Sequence, residues 1–189
     1  MTLAATTPAA PAGKHLARFT VGQFHRLCDA VPEKRLELID GEILEVIAKG
    51  TRHTAVVHRL IAVIQAWLVA SPQLSLQLRV EAPLDLGPAT EPEPDLALVA
   101  HRADDYWHAH PTAVDTALVI EVADSSLAFD LEVKARLYAA AKIPHYWVVD
   151  VQEPRLHVLE GASPSTDITA GMETLRASVE QLLRNLPHS

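Results

Sequence analysis

The chain has 189 residues, of which 49% are apolar and 21% are charged. These proportions are typical of one soluble globular domain, and a domain of this length can bury a core without staples. Sixteen Lys and Arg residues against 24 Asp and Glu residues give a net charge of −8, which argues against tight non-specific binding to a phosphate backbone. The one cysteine, Cys28, excludes an internal disulfide framework and cysteine-cluster metal sites, and it suits a reducing cytoplasm.

The amino-terminal segment differs in composition from the rest of the chain. Residues 1–17 are rich in Ala, Thr and Pro, so we expect a disordered tail followed by one domain over residues 18–189. The segment lacks the basic and apolar regions of a signal peptide. Because no apolar run reaches the ~18 residues that a membrane helix needs, we expect no membrane span.

The first half of the domain is predicted to contain two helices and a hairpin. Thr20 is a favoured N-cap for a helix over Val21–Ala30. An Asp-Gly pair at Asp40 divides two β-favouring runs within residues 35–47, and such a pair tolerates the positive φ angles of a type I′ turn. Apolar residues at helical spacing predict a longer helix over Thr54–Ala70.

The second half alternates short apolar runs with two helical patterns. The predicted strands are Leu74–Glu81, Asp95–Ala100, Ala117–Val122, Tyr146–Val151 and Arg155–Leu159, and the predicted helices are Asp130–Lys142 and 172–186. Between strands, residues 101–116 form a polar loop whose three histidines show no zinc-ligand pattern. The order of elements indicates one α/β domain, with a mixed sheet flanked by helices.

Two acidic residues lie where predicted core strands end. Asp95 opens one strand, and Glu121 lies 26 residues later, near the end of another. A carboxylate at the end of an apolar strand is unfavourable unless a partner compensates its charge. Two of them at neighbouring strand ends would repel each other, and a divalent cation resolves that conflict. Hard oxygen ligands suit Mg²⁺ or Mn²⁺.

The helix after Glu121 carries three polar side chains in register. Asp130, Lys134 and Tyr138 are spaced i, i+4 and i+8, so they stack on one helix face. A lysine there could reach a metal-bound water or a scissile phosphate. The structural alternative is that the acids are exposed strand ends and that Asp130 and Lys134 form a surface ion pair. Spacing alone leaves both interpretations open.

Five motifs occur in one order along the chain: ELIDGEI, EPDLALV, LVIEVADSS, D-x-x-x-K-x-x-x-Y and IPHYWVVD. Each motif alone is common, but the ordered set is specific. On these motifs the chain resembles the Uma-two family of restriction-endonuclease-like proteins over about residues 18–160. That family belongs to the PD-(D/E)XK nuclease superfamily, so the resemblance implies a single restriction-endonuclease-like core.

The resemblance also implies roles for individual residues. In the superfamily, the aspartate of the PD motif and the acid of the next core strand bind the catalytic metal, which corresponds to Asp95 and Glu121. The usual lysine lies two residues after that acid, where this chain has Ala123. The Uma-like subgroup places its lysine on the following helix, and Lys134 fits that position. Glu37 matches the family's N-terminal acid and is expected to hold a second metal or a metal-bound water.

The implied mechanism is metal-dependent phosphodiester hydrolysis. Mg²⁺, or alternatively Mn²⁺, is expected on Asp95, Glu121 and the backbone carbonyl of Val122, where it would lower the pKa of bound water. Lys134 would position that water and offset the charge that grows in the transition state. Tyr138 would support the lysine or contact a phosphate, although helix packing explains it equally well.

Residues near the start of the long helix are candidates for phosphate contacts. His53, Arg52 and Lys49 lie there, and a helix N-terminus favours anions. The alternative is a merely polar helix start. Ser125 has no G-x-S-x-G context, so a turn or a phosphate contact is a better interpretation than a nucleophile.

The resemblance implies DNA as the partner and a homodimer, because cutting both strands of a duplex needs two sites. The terminal helix and the second hairpin are candidates for self-association. An inactive scaffold or a nucleic-acid-binding protein that kept the nuclease fold is the alternative, which Ala123 and the acidic balance leave open. A nuclease that acts on RNA or on a small phosphoester is another.

Overall fold

The structure, a computed structural model, describes residues 15–161 and 166–187. The strands are β1 (Leu36–Ile39), β2 (Glu42–Glu45), β3 (Leu76–Val80), β4 (Leu96–Ala100), β5 (Thr116–Ala123), β6 (His145–Asp150) and β7 (Arg155–Glu160). The helices are α1 (Val21–Ala30), α2 (Thr51–Ala70), α3 (Leu127–Phe129), α4 (Ala135–Ala140) and α5 (Thr166–Arg184), with a π turn (Asp130–Lys134) between α3 and α4 and 3₁₀ turns at Pro72–Leu74 and Ala113–Asp115. Most of the predicted disordered tail lies outside the described residues, so the domain boundary stays a prediction.

The amino-terminal helix and hairpin have the bounds and caps that their sequences predict. The Thr20 hydroxyl accepts a hydrogen bond from the Gln23 amide, and the Gln23 side chain accepts one from the Thr20 amide, which completes a capping box. In the hairpin, Asp40 and Gly41 have φ angles of 49° and 79°, as a type I′ turn requires. Ile39 therefore pairs directly with the first residue of β2.

The main sheet has five strands in the order β3-β4-β5-β6-β7. β5 and β6 are parallel and are joined by the helical segment α3–π turn–α4, whereas the other neighbouring pairs are antiparallel. The β1–β2 hairpin is a separate two-stranded sheet, attached to the segment before β4 by backbone hydrogen bonds between Leu38 and Glu91. The fold is thus a mixed sheet flanked by helices, as predicted.

Alternation along the strands directs side chains to two different cores. On one face, α2 and α5 pack against alternate strand residues such as Leu98, Ile120 and Trp147. On the other face, α4 packs against Val119 and its neighbours. Because side chains in a strand alternate in direction, Glu121 projects to the same side as Val119, toward α4.

Three helices begin earlier in the structure than the sequence pattern predicts. α2 begins at Thr51, because Gly50 in extended conformation serves as its N-cap and the polar first turn carries no apolar periodicity. α5 begins at Thr166, before the predicted residue 172. The predicted helix from Asp130 is a composite that begins at Leu127. Periodicity reports only the buried stripe of a helix, so it misses polar terminal turns.

One helix is more apolar than the sequence analysis expected. By length and composition α2 reaches what a membrane span needs, with a mean hydropathy of 1.4 over its best window. Its buried stripe, which includes Leu60 and Ile64, lies in the core of the sheet, and Trp67 donates a hydrogen bond to Thr174 of α5 at 3.0 Å. A third of the apolar window is buried inside the chain.

Candidate active site

The antiparallel pairing of β4 and β5 brings the two predicted acids together. Leu96 pairs with Ile120 in the antiparallel register. Asp95, just before β4, therefore lies beside Glu121 near the end of β5. The Asp95 carboxylate oxygen Oδ2 accepts a hydrogen bond from the Val122 amide at 2.7 Å, and the Asp95 amide lies 3.4 Å from Glu121 Oε2. Both carboxyl groups are buried. They therefore form one acidic centre rather than two exposed strand ends.

Glu121 is surrounded by donors from the helical segment that follows it. Lys134 Nζ donates to Glu121 Oε1 at 2.8 Å, and the Tyr138 hydroxyl donates to the same oxygen at 3.0 Å. Burial nevertheless outweighs the attraction of Lys134, and neighbouring Asp95 adds repulsion, so the pKa of Glu121 rises to about 8. This carboxylate is under-compensated by the protein's own positive charge.

The π turn delivers the lysine to this centre. The Ala135 amide bonds to the carbonyl of Asp130, five residues earlier, so the helix gains one residue in this turn. Lys134 is buried and also contacts Glu37 of the hairpin, at 3.3 Å. Burial alone would lower the pKa of Lys134, but Glu121 and Glu37 raise it well above its usual range. Burial raises the pKa of Glu37 in spite of Lys134.

Asp95 contacts two basic side chains, Lys49 in the segment before α2 and His53 within α2. His53 Nε2 lies 3.0 Å from Asp95 Oδ2, and the ammonium group of Lys49 contacts Oδ1. Burial would raise the pKa of Asp95, but His53 and Lys49 outweigh it and lower that pKa to about 2. Lys49 also binds Glu81 at 2.7 Å. Oδ2 thus has two protein donors, whereas Oδ1 has Lys49.

A cavity of about 410 Å³ opens onto these groups. Asp95, Glu121, Lys134, Glu37, His53 and Lys49 line its polar side. Leu44, Ile47 and Phe129 contribute to its apolar side, and Ile47 is 86% exposed at the rim.

The structure brings together most of the residues that the sequence singles out. Besides the acids and Lys134, Val122 and Ser125 line the cavity, His53 bonds to Asp95, and Tyr138 bonds to Glu121. Lys134 forms ion pairs with Glu121 and Glu37, so the alternative of a surface ion pair between Lys134 and Asp130 is wrong. The Asp130 carboxylate instead accepts a hydrogen bond from the Ser126 hydroxyl at 2.5 Å.

Arg52 lies apart from the acidic centre. Its guanidinium group bonds to Gln152 at 3.2 Å and lines a neighbouring cleft rather than the cavity. The direct contact of Lys49 with Asp95 and the participation of Glu81 are not evident in the sequence. Both depend on how the β2–α2 segment and the end of β3 fold over the start of β4.

The donor set fits a hard divalent cation. Glu121 and Asp95 present oxygen ligands at one point, and burial together with the neighbouring acids raises the pKa of Glu121. Mg²⁺ commonly binds through one or two carboxylates and takes its other ligands from water and phosphate. Across residues 15–161 and 166–187, no group of three or more His, Cys, Asp or Glu side chains is placed to hold a metal ion. A two-carboxylate site is consistent with that finding, and an all-protein cage is not.

The sheet is mixed and flanked by helices, and two acids and a lysine meet at the end of its central strands. The sequence model of the Uma2 family, described as "Putative restriction endonuclease", matches residues 21–183, and the chain belongs to this family. The resemblance drawn from the five motifs is thereby confirmed.

A solved structure supports the fold. It is titled as a putative nuclease belonging to DUF820 from Anabaena variabilis ATCC 29413, and it is 16% identical with a TM-score of 0.59. The similarity covers 85% of this chain and 99% of that chain. A comparison with curated proteins gives no match. The predicted fold class is confirmed.

Proposed function

We propose that this chain is a Mg²⁺-dependent endonuclease that hydrolyses phosphodiester bonds of DNA at the Asp95–Glu121–Lys134 centre. The observation that carries the proposal is the contact of Lys134 Nζ with Glu121 at 2.8 Å inside an open cavity that Asp95 also lines. Lys134 thereby supplies the site's lysine, which the chain lacks at position 123, where it has Ala123. The family assignment supports a restriction-endonuclease-like activity.

Asp95 and Glu121 would hold the metal ion, with the Val122 carbonyl as a further ligand. When bound, Mg²⁺, or Mn²⁺ in its place, polarises a phosphate oxygen and lowers the pKa of a water. The chain's own part is to orient these ligands. The Val122 amide and His53 fix Oδ2 of Asp95, and Tyr138 fixes Oε1 of Glu121.

Lys134 is the protein's electrostatic contribution to the reaction. Its ammonium group is buried between Glu121 and Glu37, so the geometry holds it in place before substrate arrives. There it would donate to the attacking water or to a non-bridging phosphate oxygen. The attacking water gives a proton to solvent as its oxygen bonds to phosphorus, the bond from phosphorus to the leaving oxygen breaks, and the leaving oxygen takes a proton from solvent. Glu37 positions the lysine, and a second metal on Glu37 remains a prediction.

The homodimer also remains a prediction. The terminal helix α5 exposes less apolar surface for a dimer interface than its sequence suggests. The apolar stripe of α5, including Leu175, Val179 and Leu183, is buried within the chain against α2 and the sheet. That stripe is therefore not available for self-association.

The test is cleavage of supercoiled plasmid at low salt with Mg²⁺ and then Mn²⁺. We expect nicking or linearisation by the wild type, and loss of it in Glu121→Ala and Lys134→Ala. Arg136→Ala is the matched control, because Arg136 is an exposed cation of α4 outside the cavity. Equal cleavage by all four proteins would indicate a contaminating nuclease and would contradict the site.

Absence of cleavage by the wild type with both metals would favour the inactive-scaffold interpretation or an RNA substrate. Incubation with single-stranded and structured RNA separates these two. Metal-dependent RNA cleavage that Glu121→Ala abolishes would retain the site and change the substrate.

A further inference from the structure

A second cleft lies on the other side of α2 from the catalytic cavity. It has a volume of about 360 Å³ and is lined by Arg52, Ala55, Val56, Arg59, Val151, Gln152, Pro154, Leu186 and Pro187. The amino-terminal half of α2, the β6–β7 turn and the end of the chain that follows α5 form its walls. His53, next to Arg52 in sequence, faces the catalytic cavity instead. Helix α2 thus contributes residues to both the catalytic cavity and the cleft.

The cleft combines aliphatic walls with two arginines. Arg52 and Arg59 are both exposed, and seven residues of helix separate them by about 10 Å along the axis. Arg59 makes no ion pair or side-chain hydrogen bond with the residues that the structure describes. The α2 sequence contains no Asp or Glu, although the chain as a whole carries a net charge of −8. This face of α2 is therefore suited to phosphate groups.

A chain of hydrogen bonds joins the cleft to the catalytic cavity. Arg52 donates to the side-chain oxygen Oε1 of Gln152 at 3.2 Å. The side-chain Nε2 of Gln152 donates to the Asp124 backbone carbonyl at 3.2 Å and also contacts the Asp124 carboxylate. Asp124 lines the catalytic cavity, whereas Gln152 lines the cleft. A strand that leaves the carboxylates across this bridge reaches Arg52 first and Arg59 next.

We propose that the cleft is a subsite for one unpaired nucleotide that flanks the scissile phosphate, and that the substrate is a single-stranded segment of DNA. The inference rests on the proposed function and names its substrate class. The volume is at the lower end of ligand pockets, ~300–1,000 Å³, which suits one nucleotide. The exposed rings of Pro154 and Pro187 in the cleft lining offer a wall for the face of a base, and Arg52 and Arg59 would bind the phosphates of the nucleotide. A base stacked and paired in a duplex has no face free for such a wall.

The test measures binding of a fluorescent single-stranded DNA oligonucleotide and of the blunt-ended duplex of the same sequence, in EDTA so that no cleavage occurs. We expect the single strand to bind the wild type more tightly. Arg52→Gln and Arg59→Gln should each weaken binding about fivefold to tenfold. Each should also reduce the slope of log affinity against log salt by about 0.7, the value for one phosphate contact on a single strand. Arg136→Gln, an exposed arginine outside both spaces, is the matched control.

A second pair of variants tests the cleft without removing an arginine. Ala55→Glu places a carboxylate at the rim of the cleft on an exposed helical position. Ala66→Glu makes the same change at an exposed α2 position outside the cleft lining, about 10 Å along the helix axis from Arg59. Glutamate is a good helix former, so both variants keep α2. We expect Ala55→Glu to weaken single-strand binding at least tenfold and Ala66→Glu to leave it within twofold.

The proposal is overturned if the wild type binds the single strand no better than the duplex. It is also overturned if the arginine variants keep the wild-type affinity and salt slope, or if Ala55→Glu and Ala66→Glu behave alike. Mg²⁺-dependent cleavage of circular single-stranded DNA and a Mn²⁺-dependent thermal shift of the wild type report the proposed function separately. Loss of single-strand binding in the cleft variants, without any metal effect on the wild type, would retain the cleft and reject the nuclease.

Discussion

Replacing Glu121 by glutamine should make the protein's stability less dependent on pH. Glu121 is 4% exposed, and it shares its cation Lys134 with Glu37. Glutamine has nearly the same shape, and its carbonyl oxygen still accepts hydrogen bonds from Lys134 and Tyr138. The substitution therefore removes one ionisation without opening a cavity.

The sign follows from where the proton is held. The pKa of Glu121 is raised from its ordinary 4.5 to about 8, so between these values the folded chain keeps a proton that the unfolded chain has lost. The free energy of unfolding then falls as pH rises through this window. The interval of about 3.5 corresponds to about 5 kcal/mol, since one pKa unit is worth about 1.4 kcal/mol. That is a large part of the ~5–15 kcal/mol of an ordinary domain.

The assay is urea denaturation followed by circular dichroism at pH 5, 7 and 9 in EDTA. Relative to the wild type, Glu121→Gln should gain about 4 kcal/mol in unfolding free energy between pH 5 and pH 9, because pH 5 already lies above the ordinary pKa of 4.5. Glu132→Gln changes an exposed acid of the same π turn and is the control. Its curve should run parallel to that of the wild type. If the Glu121→Gln curve is parallel too, Glu121 is ionised throughout and the account of an under-compensated carboxylate is refuted.

Three other substitutions test separate parts of the structure. The Lys49→Met variant should bind Mn²⁺ about tenfold more tightly than the wild type in calorimetry. The reason is that the charged hydrogen bond from Lys49 to Asp95, worth ~1.5 kcal/mol, no longer competes with the metal for that carboxylate. Unchanged or weaker binding would contradict this. Gly41→Ala should destabilise the protein by ~1–2 kcal/mol in urea denaturation, because φ is +79° and the added Cβ would lie 2.7 Å from a side-chain carbon of Arg18. Gly22→Ala in helix α1 should not destabilise the protein, because its Cβ would meet no atom closer than 4.0 Å. Leu60→Ala should cost ~2–5 kcal/mol, and Val69→Ala, on a residue that is 82% exposed, less than ~0.5 kcal/mol; similar losses would mean that α2 is not packed in the core.

Local chemistry in the sequence was sufficient for the elements whose signals are short-range. The Thr20 cap, the Asp40 turn and the paired strands around Pro154 are all confirmed. The terminal turns of α2 and α5 were missed, because those turns are polar and expose no apolar stripe. In the composite helix, the extra residue of the π turn has no local signature, and it is stabilised by tertiary contacts such as the Tyr146 hydroxyl bond to the Asp130 carbonyl at 3.0 Å.

The candidate site divides in the same way. The residue types and order of Asp95, Glu121 and Lys134 are contained in the sequence, since acids at apolar strand ends and a lysine on the next helix are visible along the chain. Which cation faces which carboxylate is not contained there. Lys49 reaches Asp95 across 46 positions of the chain and Glu37 reaches Lys134 across 97, and such pairings exist only after the hairpin and α2 have packed against the sheet. Electrostatic partners depend on distance in space, so the charge balance of the site was decided by the tertiary structure.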